Sequence, residues 1–337
     1  YYDRSSNPFS MSLQRFFQKY TGKLRNLKAV YVINNLLNAD RLKHNRPLYR
    51  RYGLRKSIYS PIGSSDFKAG HHPDIPWLDR PGALETLEQH PDFQHFSAEW
   101  QAAARLFVEK GYLILRNVFS EADTDALNAE VDQLLQAGKV GYNYTGRKIT
   151  NLWETSALAN ERFFRNPELL RLLEFLLGKK IIPFHTLNFT VGSEQRAHSD
   201  SIHMTTEPPG YLIAAWIALE DCATDNGPLF FYPGSHRLPY VMADDFDAGN
   251  TALTIGADSN RRYEDKIAEL IATQHLNKEL FLGRRGDVLV WHANLLHGGS
   301  PIARTGATRK SMVCHYFAEE VICYHEISQR PALIRMK

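Results

Sequence analysis

The chain has 337 residues, 23% of them charged and 43% hydrophobic, with a formal net charge of +3; that is enough for one large domain with appendages, or two modest ones, without covalent staples. Its three cysteines, Cys222, Cys314 and Cys323, form no CxxC cluster, and its longest apolar run, 211–219, is far short of the roughly 20 residues a membrane span needs. These features exclude a disulfide scaffold, a zinc-cluster protein and a helical membrane protein, and they point to a soluble chain in a reducing compartment, the cytoplasm.

The charge is unevenly spread. Residues 1–60 hold 13 Lys and Arg against 2 Asp and Glu, so a basic arm precedes a mildly acidic body. From Ser12 onward Leu13, Phe16, Phe17, Tyr20, Leu24 and Leu27 recur at helical spacing with Arg15, Lys19, Lys23 and Arg25 between them, the pattern of a basic amphipathic helix. Such a helix either lies on an anionic membrane surface or packs with its charged face in solvent. A second basic cluster, 41–56, carries Tyr49 and Tyr52, with Tyr59 just beyond. No nucleic-acid module accompanies these charges, which ranks peripheral membrane contact above nucleic acid. Residues 57–96 are rich in Pro, Gly, Ser and His and read as an irregular connector; the adjacent His71 and His72 within it read as surface residues.

Order resumes at Ser97, an N-cap for a helix to Lys110, followed by Gly111 and an apolar strand over 112–118. Ser120 to Asp123 reads as a capping box opening a helix that Gly138 closes, and Asn166-Pro167 opens another that ends at Gly178. After residue 180 the pattern changes to short strands, over 181–190, 211–219, 229–232, 288–291 and 312–317, separated by turn signals such as Asn226-Gly227-Pro228. Helices first and short strands later predict an α+β protein with a mainly β core, a double-stranded β-helix (jelly roll, cupin-like) with packed helices and a basic helical N-terminal extension. The expected division is 1–96 as extension and connector and 97–337 as the jelly-roll domain. Within the latter, residues 241–280 form an insertion, helical over 263–275, in the position of a lid or substrate loop.

His198-Ser199-Asp200 is the first chemically suggestive stretch. In extended backbone, side chains at i and i+2 share a face, and two imidazoles with one carboxylate on one side of a metal leave the opposite positions open, as in non-haem Fe(II) oxygenases. Among 14 histidines the motif is weak alone. A third ligand is sought in Gly286 to Ser300, a strand running into a loop with His292 and His297, and Arg309 follows the second histidine by twelve residues.

Together with Gly111-Tyr112 through Phe119, Trp216 to Asp221, Asn226-Gly227-Pro228, Pro233-Gly234-Ser235-His236 and His297-Gly298, these positions resemble the phytanoyl-CoA dioxygenase family of Fe(II)/2-oxoglutarate-dependent oxygenases. The resemblance covers most of the chain from about residue 107 onward. It implies Fe(II) held by His198, Asp200 and His297, with 2-oxoglutarate and O2 as cosubstrates. Arg309 would grip the far carboxylate of 2-oxoglutarate through two parallel hydrogen bonds, which Lys310 could not copy. Trp216 and Lys148 would flank the cosubstrate. The retained Asp200 sets the chain apart from related halogenases, which lack that carboxylate. His292 is expected outside the ligand set, His185 and His315 as core or supporting histidines, His203 near the substrate side or on an ordinary loop, Asn188 as a further site candidate, and His236 as structural. The expected reaction hydroxylates an unactivated C–H bond of a small molecule, anionic or lipid-linked, with release of succinate and CO2. The competing expectation is a non-catalytic membrane- or anion-binding protein on a jelly-roll scaffold.

Overall fold

The computed structural model of the protein describes residues 26–67, 74–143 and 146–335 and divides into two units. One comprises Tyr1–His71, Val241–Lys266 and Ile322–Lys337, the other His72–Tyr240 and Ile267–Val321. The basic helix expected from Ser12 lies, up to residue 25, outside the described residues, as does the His71–His72 pair.

In the first unit, helices α1 (Lys28–Leu37) and α2 (Asn45–Arg51) precede a core of Leu42, Tyr49, Leu54, Ile58, Ile62, Ile322 and Tyr324. Helix α1 is turned against its own hydrophobic pattern. Its buried residues are Lys28 and Asn35, two turns apart on one face. Lys28 Nζ donates to Thr251 O and Gln329 Oε1, each at 2.5 Å, and Asn35 Nδ2 donates to Tyr59 O at 3.0 Å. A buried ammonium is tolerated only when its donors are satisfied, and the partners on this face fix the helix with Ile33, Leu36 and Leu37 exposed.

The second unit holds the large antiparallel sheet. The connector is more ordered than its composition predicts: helix α3 (Ala83–Gln89) and 3₁₀ turns at Trp77–Asp79 and Pro91–His95 form around the fully buried Leu87 and Phe93. Two anchors over so short a stretch leave no periodic signal. Helices α4 (Ala98–Lys110), α5 (Glu121–Gln136) and α6 (Pro167–Leu177) begin where their caps predict: Ser97, Ser120 and Asn166 each accept a backbone N–H with the side-chain oxygen. Gly111 and Gly178 end α4 and α6 in the left-handed region, at φ 81° and 65°.

Ten strands follow or interleave: β1 (Tyr112–Leu115), β2 (Lys148–Thr150), β3 (Ile181–Phe189), β4 (Thr205–Glu207), β5 (Leu212–Ala218), β6 (Leu229–Phe231), β7 (Glu279–Leu280), β8 (Val288–His292), β9 (His297–Gly299) and β10 (Ser311–Ala318). Six form an antiparallel sheet in the order β1-β8-β5-β10-β3-β2, and a smaller sheet runs β7-β6-β9. This is the jelly roll expected, with α6 packed on β3. Register decides which residues face inward. Trp216 lies opposite Leu289 and Val313, Ala214 opposite Trp291, and His315 opposite His185. The buried cluster therefore joins Phe189, Trp216, Leu289, Trp291 and Val313 of the large sheet to Leu229 and Phe231 of the small one. A helix expected inside the 241–280 insertion is present, over Ser259–Thr273.

Candidate active site

The two histidines of the proposed triad are joined by backbone before any side chain is considered. His198 and His297 pair as an isolated antiparallel bridge, each N–H donating to the other's carbonyl at 2.9 Å. Cross-strand neighbours hold their side chains close, and the two rings sit 4.5 Å apart. Gly298 permits this approach, because a Cβ there would lie 2.5 Å from the Phe230 ring and 2.6 Å from Gln195 O. Asp200 opens a 3₁₀ turn two residues after His198, and its Oδ1 lies 3.8 Å from Nε2 of both histidines.

The hydrogen bonds around the triad define its chemistry. His198 Nδ1 donates to Arg196 O at 2.9 Å and His297 Nδ1 to Leu295 O at 3.0 Å, since a carbonyl only accepts. In the neutral rings both Nε2 atoms are then acceptors that face Asp200, and that of His198 also has the Gln195 amide nitrogen at 3.2 Å. Burial, reinforced by the neighbouring His297, pushes His198 down to about 3, and burial also lowers His297. Burial pushes the Asp200 carboxyl upward, but His297, His315 and His198 outweigh it and hold the group well below the usual carboxylate range. Two neutral imidazoles and an ionised carboxylate, with ligand atoms all within 4.8 Å of one another, fit a divalent metal of the Fe(II) type. Bonded Nδ1 atoms of this kind fix tautomer and orientation in metal sites.

Beyond the triad, His315 Nε2 lies 3.4 Å from Asp200 Oδ2 and its ring 5.9 Å from that of His185. His203 follows the Asp200 turn, 5.9 Å from the His198 ring. Burial lowers His185 to about 3 and His203 to about 4, and the positive Lys148 adds to both shifts. Lys148 begins β2 opposite Phe189, on the inward side of the sheet. Arg309 is 1% exposed. Its Nε donates to Gly227 O at 2.5 Å, Nη1 to Ser311 Oγ at 3.2 Å and Nη2 to Ser193 Oγ at 3.3 Å, and its guanidinium stands 5.2 Å over the Trp216 ring. All three acceptors are neutral, and among the described residues no carboxylate lies within ion-pair distance of it.

His292 is directed elsewhere: its Nε2 is 3.2 Å from Asp79 Oδ2 and its Nδ1 accepts from Asn294 N. His236 rests against Gly111, where a Cβ would come within 2.5 Å of its ring, and is structural. Asn188 corrects the sequence reading, because it alternates with His185 and Leu187 along β3 and pairs with Met312 on the opposite, outward side. Sequence reasoning missed two residues. Gln195 Nε2 lies 3.2 Å from His198 Nε2, and Trp291 Nε1 donates to Asp200 Oδ2 at 2.7 Å. Alternation along β8 carried the signal for the second, since a strand that turns His292 outward turns Trp291 inward.

The sequence profile of the family described as phytanoyl-CoA dioxygenase (PhyH) matches residues 107–311. The chain belongs to the phytanoyl-CoA dioxygenase family. That family belongs to the Fe(II)/2-oxoglutarate-dependent oxygenases, enzymes with iron as cofactor and 2-oxoglutarate and O2 as cosubstrates. It is 24% identical over 239 residues to the peroxisomal phytanoyl-CoA dioxygenase of Rattus norvegicus, covering 63% of this chain and 66% of that one. To the Homo sapiens protein of the same name it is 23% identical over 266 residues, covering 70% and 74%. The chain thus spans just under two thirds of the rat relative's length. Among solved structures, the non-haem α-ketoglutarate-dependent carbocyclase SnoK from nogalamycin biosynthesis superposes with a TM-score of 0.55 at 16% identity, covering 73% of this chain and 95% of SnoK. EctD from S. alaskensis, crystallised with 2-oxoglutarate and 5-hydroxyectoine, superposes with a TM-score of 0.50 at 23% identity, covering 66% and 76%. These likenesses establish the fold.

Proposed function

We propose that the chain is an Fe(II)/2-oxoglutarate-dependent hydroxylase of a small molecule, with His198, Asp200 and His297 as metal ligands and Arg309, Trp216 and Lys148 around 2-oxoglutarate. The observation that carries this reading is Arg309. A buried guanidinium surrounded by neutral acceptors is costly and is poised for a carboxylate from outside the chain. The metal, when bound, supplies the oxidative chemistry that converts 2-oxoglutarate to succinate and CO2 and hydroxylates the substrate. The chain's own residues position and exclude: the Nδ1 bonds of His198 and His297 aim the ligands, Arg309 orients the cosubstrate, Trp216 supports the guanidinium, and the packed inner face keeps bulk water away. Succinate formation by the Fe(II)-loaded chain with 2-oxoglutarate and O2 tests the reading; no succinate and no metal uptake would refute it. The non-catalytic scaffold reading gains no support from the relatives, which bear the names of enzymes.

We place the catalytic domain at 97–337, with 241–280 as an insertion in it; the family match, over 107–311, supports that placement. The three free cysteines are buried, which suits a cytoplasmic location, and among the described residues no helix is long and apolar enough to cross a membrane. For residues 1–60 we propose peripheral contact with an anionic membrane and, with it, an anionic or lipid-linked substrate. Support comes from the 13 basic residues of that stretch and from α1, which exposes Ile33 and Leu37 at 50% and 62%. Apolar insertion beside basic residues is the usual route to such surfaces. Sedimentation with anionic and neutral vesicles tests this: Ile33→Asp with Leu37→Asp should reduce binding to the anionic ones, and equal binding to both vesicle types would refute it.

A further inference from the structure

We propose that Trp291 is a positioning residue of the metal centre, its indole N–H holding Asp200 Oδ2 so that the carboxylate offers the metal Oδ1 alone. The inference rests on the triad reading above and adds to it the way the carboxylate binds. One buried side chain, 2% exposed, touches two of the three ligands: Trp291 Nε1 donates to Asp200 Oδ2 at 2.7 Å, and its ring lies 4.4 Å from that of His297 at 40°. The two oxygens of Asp200 are thereby in different surroundings. Oδ2 faces the indole N–H and, at 3.4 Å, His315 Nε2. Oδ1 is the atom 3.8 Å from both ligand nitrogens.

The distinction matters because a carboxylate can bind a metal through one oxygen or both. Two imidazoles and a one-oxygen carboxylate leave room for a two-point cosubstrate and dioxygen; a chelating carboxylate would take one of those positions. Indole suits the task for a chemical reason. It is a donor only, so it cannot compete for the metal or present a lone pair to Oδ2. His315, the other neighbour of that oxygen, has a bare ring nitrogen in its neutral form and the longer contact. The Trp291 indole is also fixed, because β8 pairs with both β1 and β5 and places Trp291 opposite Tyr112 and Ala214.

The test uses the full chain, loaded anaerobically with Fe(II) and, as a spectroscopic probe, with Co(II). Trp291→Phe keeps an aromatic ring and removes the N–H. We expect its Fe(II) dissociation constant to rise by about 10- to 100-fold, the usual effect of losing a partner of a metal ligand, and its Co(II) ligand-field spectrum to shift toward higher coordination. An unchanged affinity with an unchanged spectrum in a folded Trp291→Phe protein would overturn the proposal. Should that variant fail to fold, the wild-type protein decides. With ¹³C-carboxyl-labelled aspartate, the metal-induced infrared difference should show the wide antisymmetric–symmetric splitting of a one-oxygen carboxylate, and the narrow splitting of a chelate would overturn the inference. Failure of the underlying triad reading looks different: wild-type protein takes up no Fe(II), or Asp200→Ala takes it up undiminished.

Discussion

Four residues separate His292 from His297, and the two sites they occupy differ in a way that distances alone obscure. Each is a buried histidine beside an aspartate, at 3.2 Å from Asp79 and 3.8 Å from Asp200. At His292 both ring nitrogens are satisfied by protein: Nδ1 accepts from Asn294 N, which leaves the proton on Nε2 to donate to Asp79. At His297 the proton is committed to Leu295 O, so the neutral ring presents a bare nitrogen to a carboxylate that also has no proton to give. Two acceptors facing each other are stable only with a cation between them. The first site is a closed structural pair and the second an open ligand set, and the tautomer separates them.

The sharpest way to break that comparison is to remove each histidine. His297→Ala should abolish Fe(II) uptake, read by anaerobic titration, and with it succinate formation. His292→Ala should leave metal uptake in place and lower unfolding stability by about 2–3 kcal/mol in urea melts, because it strands a carboxylate and a backbone donor. Equal loss of metal by both variants would remove the distinction. Next in size is the cosubstrate end. Arg309→Ala should raise the KM for 2-oxoglutarate by about 10- to 100-fold, from loss of charge-assisted hydrogen bonds, and Arg309→Lys should recover only part of it. The ligand set also predicts a stability gain on loading: a redox-inert divalent ion in excess should raise the melting temperature of the wild-type protein and leave that of His297→Ala unmoved.

The smallest effect concerns a buried histidine outside the ligand set. Burial, with the neighbouring His292 and Arg237, lowers His236 from 6.5 to about 3. The unfolded chain therefore binds more protons between those values, and stability rises with pH there. It should be fully present above pH 6.5 and decline as pH falls toward 3. Replacing His236 by Gln should flatten that slope in urea melts across the interval, and an unaltered slope would count against a buried neutral imidazole.

Much of this was legible in the chain. Ser97, Ser120 and Asn166 announce helices because their side chains cap backbone donors locally, and Gly111 and Gly178 end them because a left-handed residue tolerates no Cβ cheaply. The strands of the large sheet announce themselves as apolar runs, and His198-Ser199-Asp200 with His297 and Arg309 is visible as an ordered set of residue types. Local physics and order suffice for these. Three features were not legible. Helix α3 has too few anchors to show a period, α1 hides its polar face because Lys28 and Asn35 meet partners from residues 59, 251 and 329, and Asn188 needed the register of β3 to be turned outward.

By itself, then, the sequence determined the element types, the jelly-roll class and the donor atoms available to a metal, since these follow from backbone propensity, hydrophobic periodicity and side-chain chemistry. Tertiary structure alone decided which donors are directed where. The His198–His297 bridge and the Trp291 contact to Asp200 depend on residues 99 and 91 positions apart meeting in one sheet sandwich, and that meeting is fixed by strand register, which no local pattern encodes.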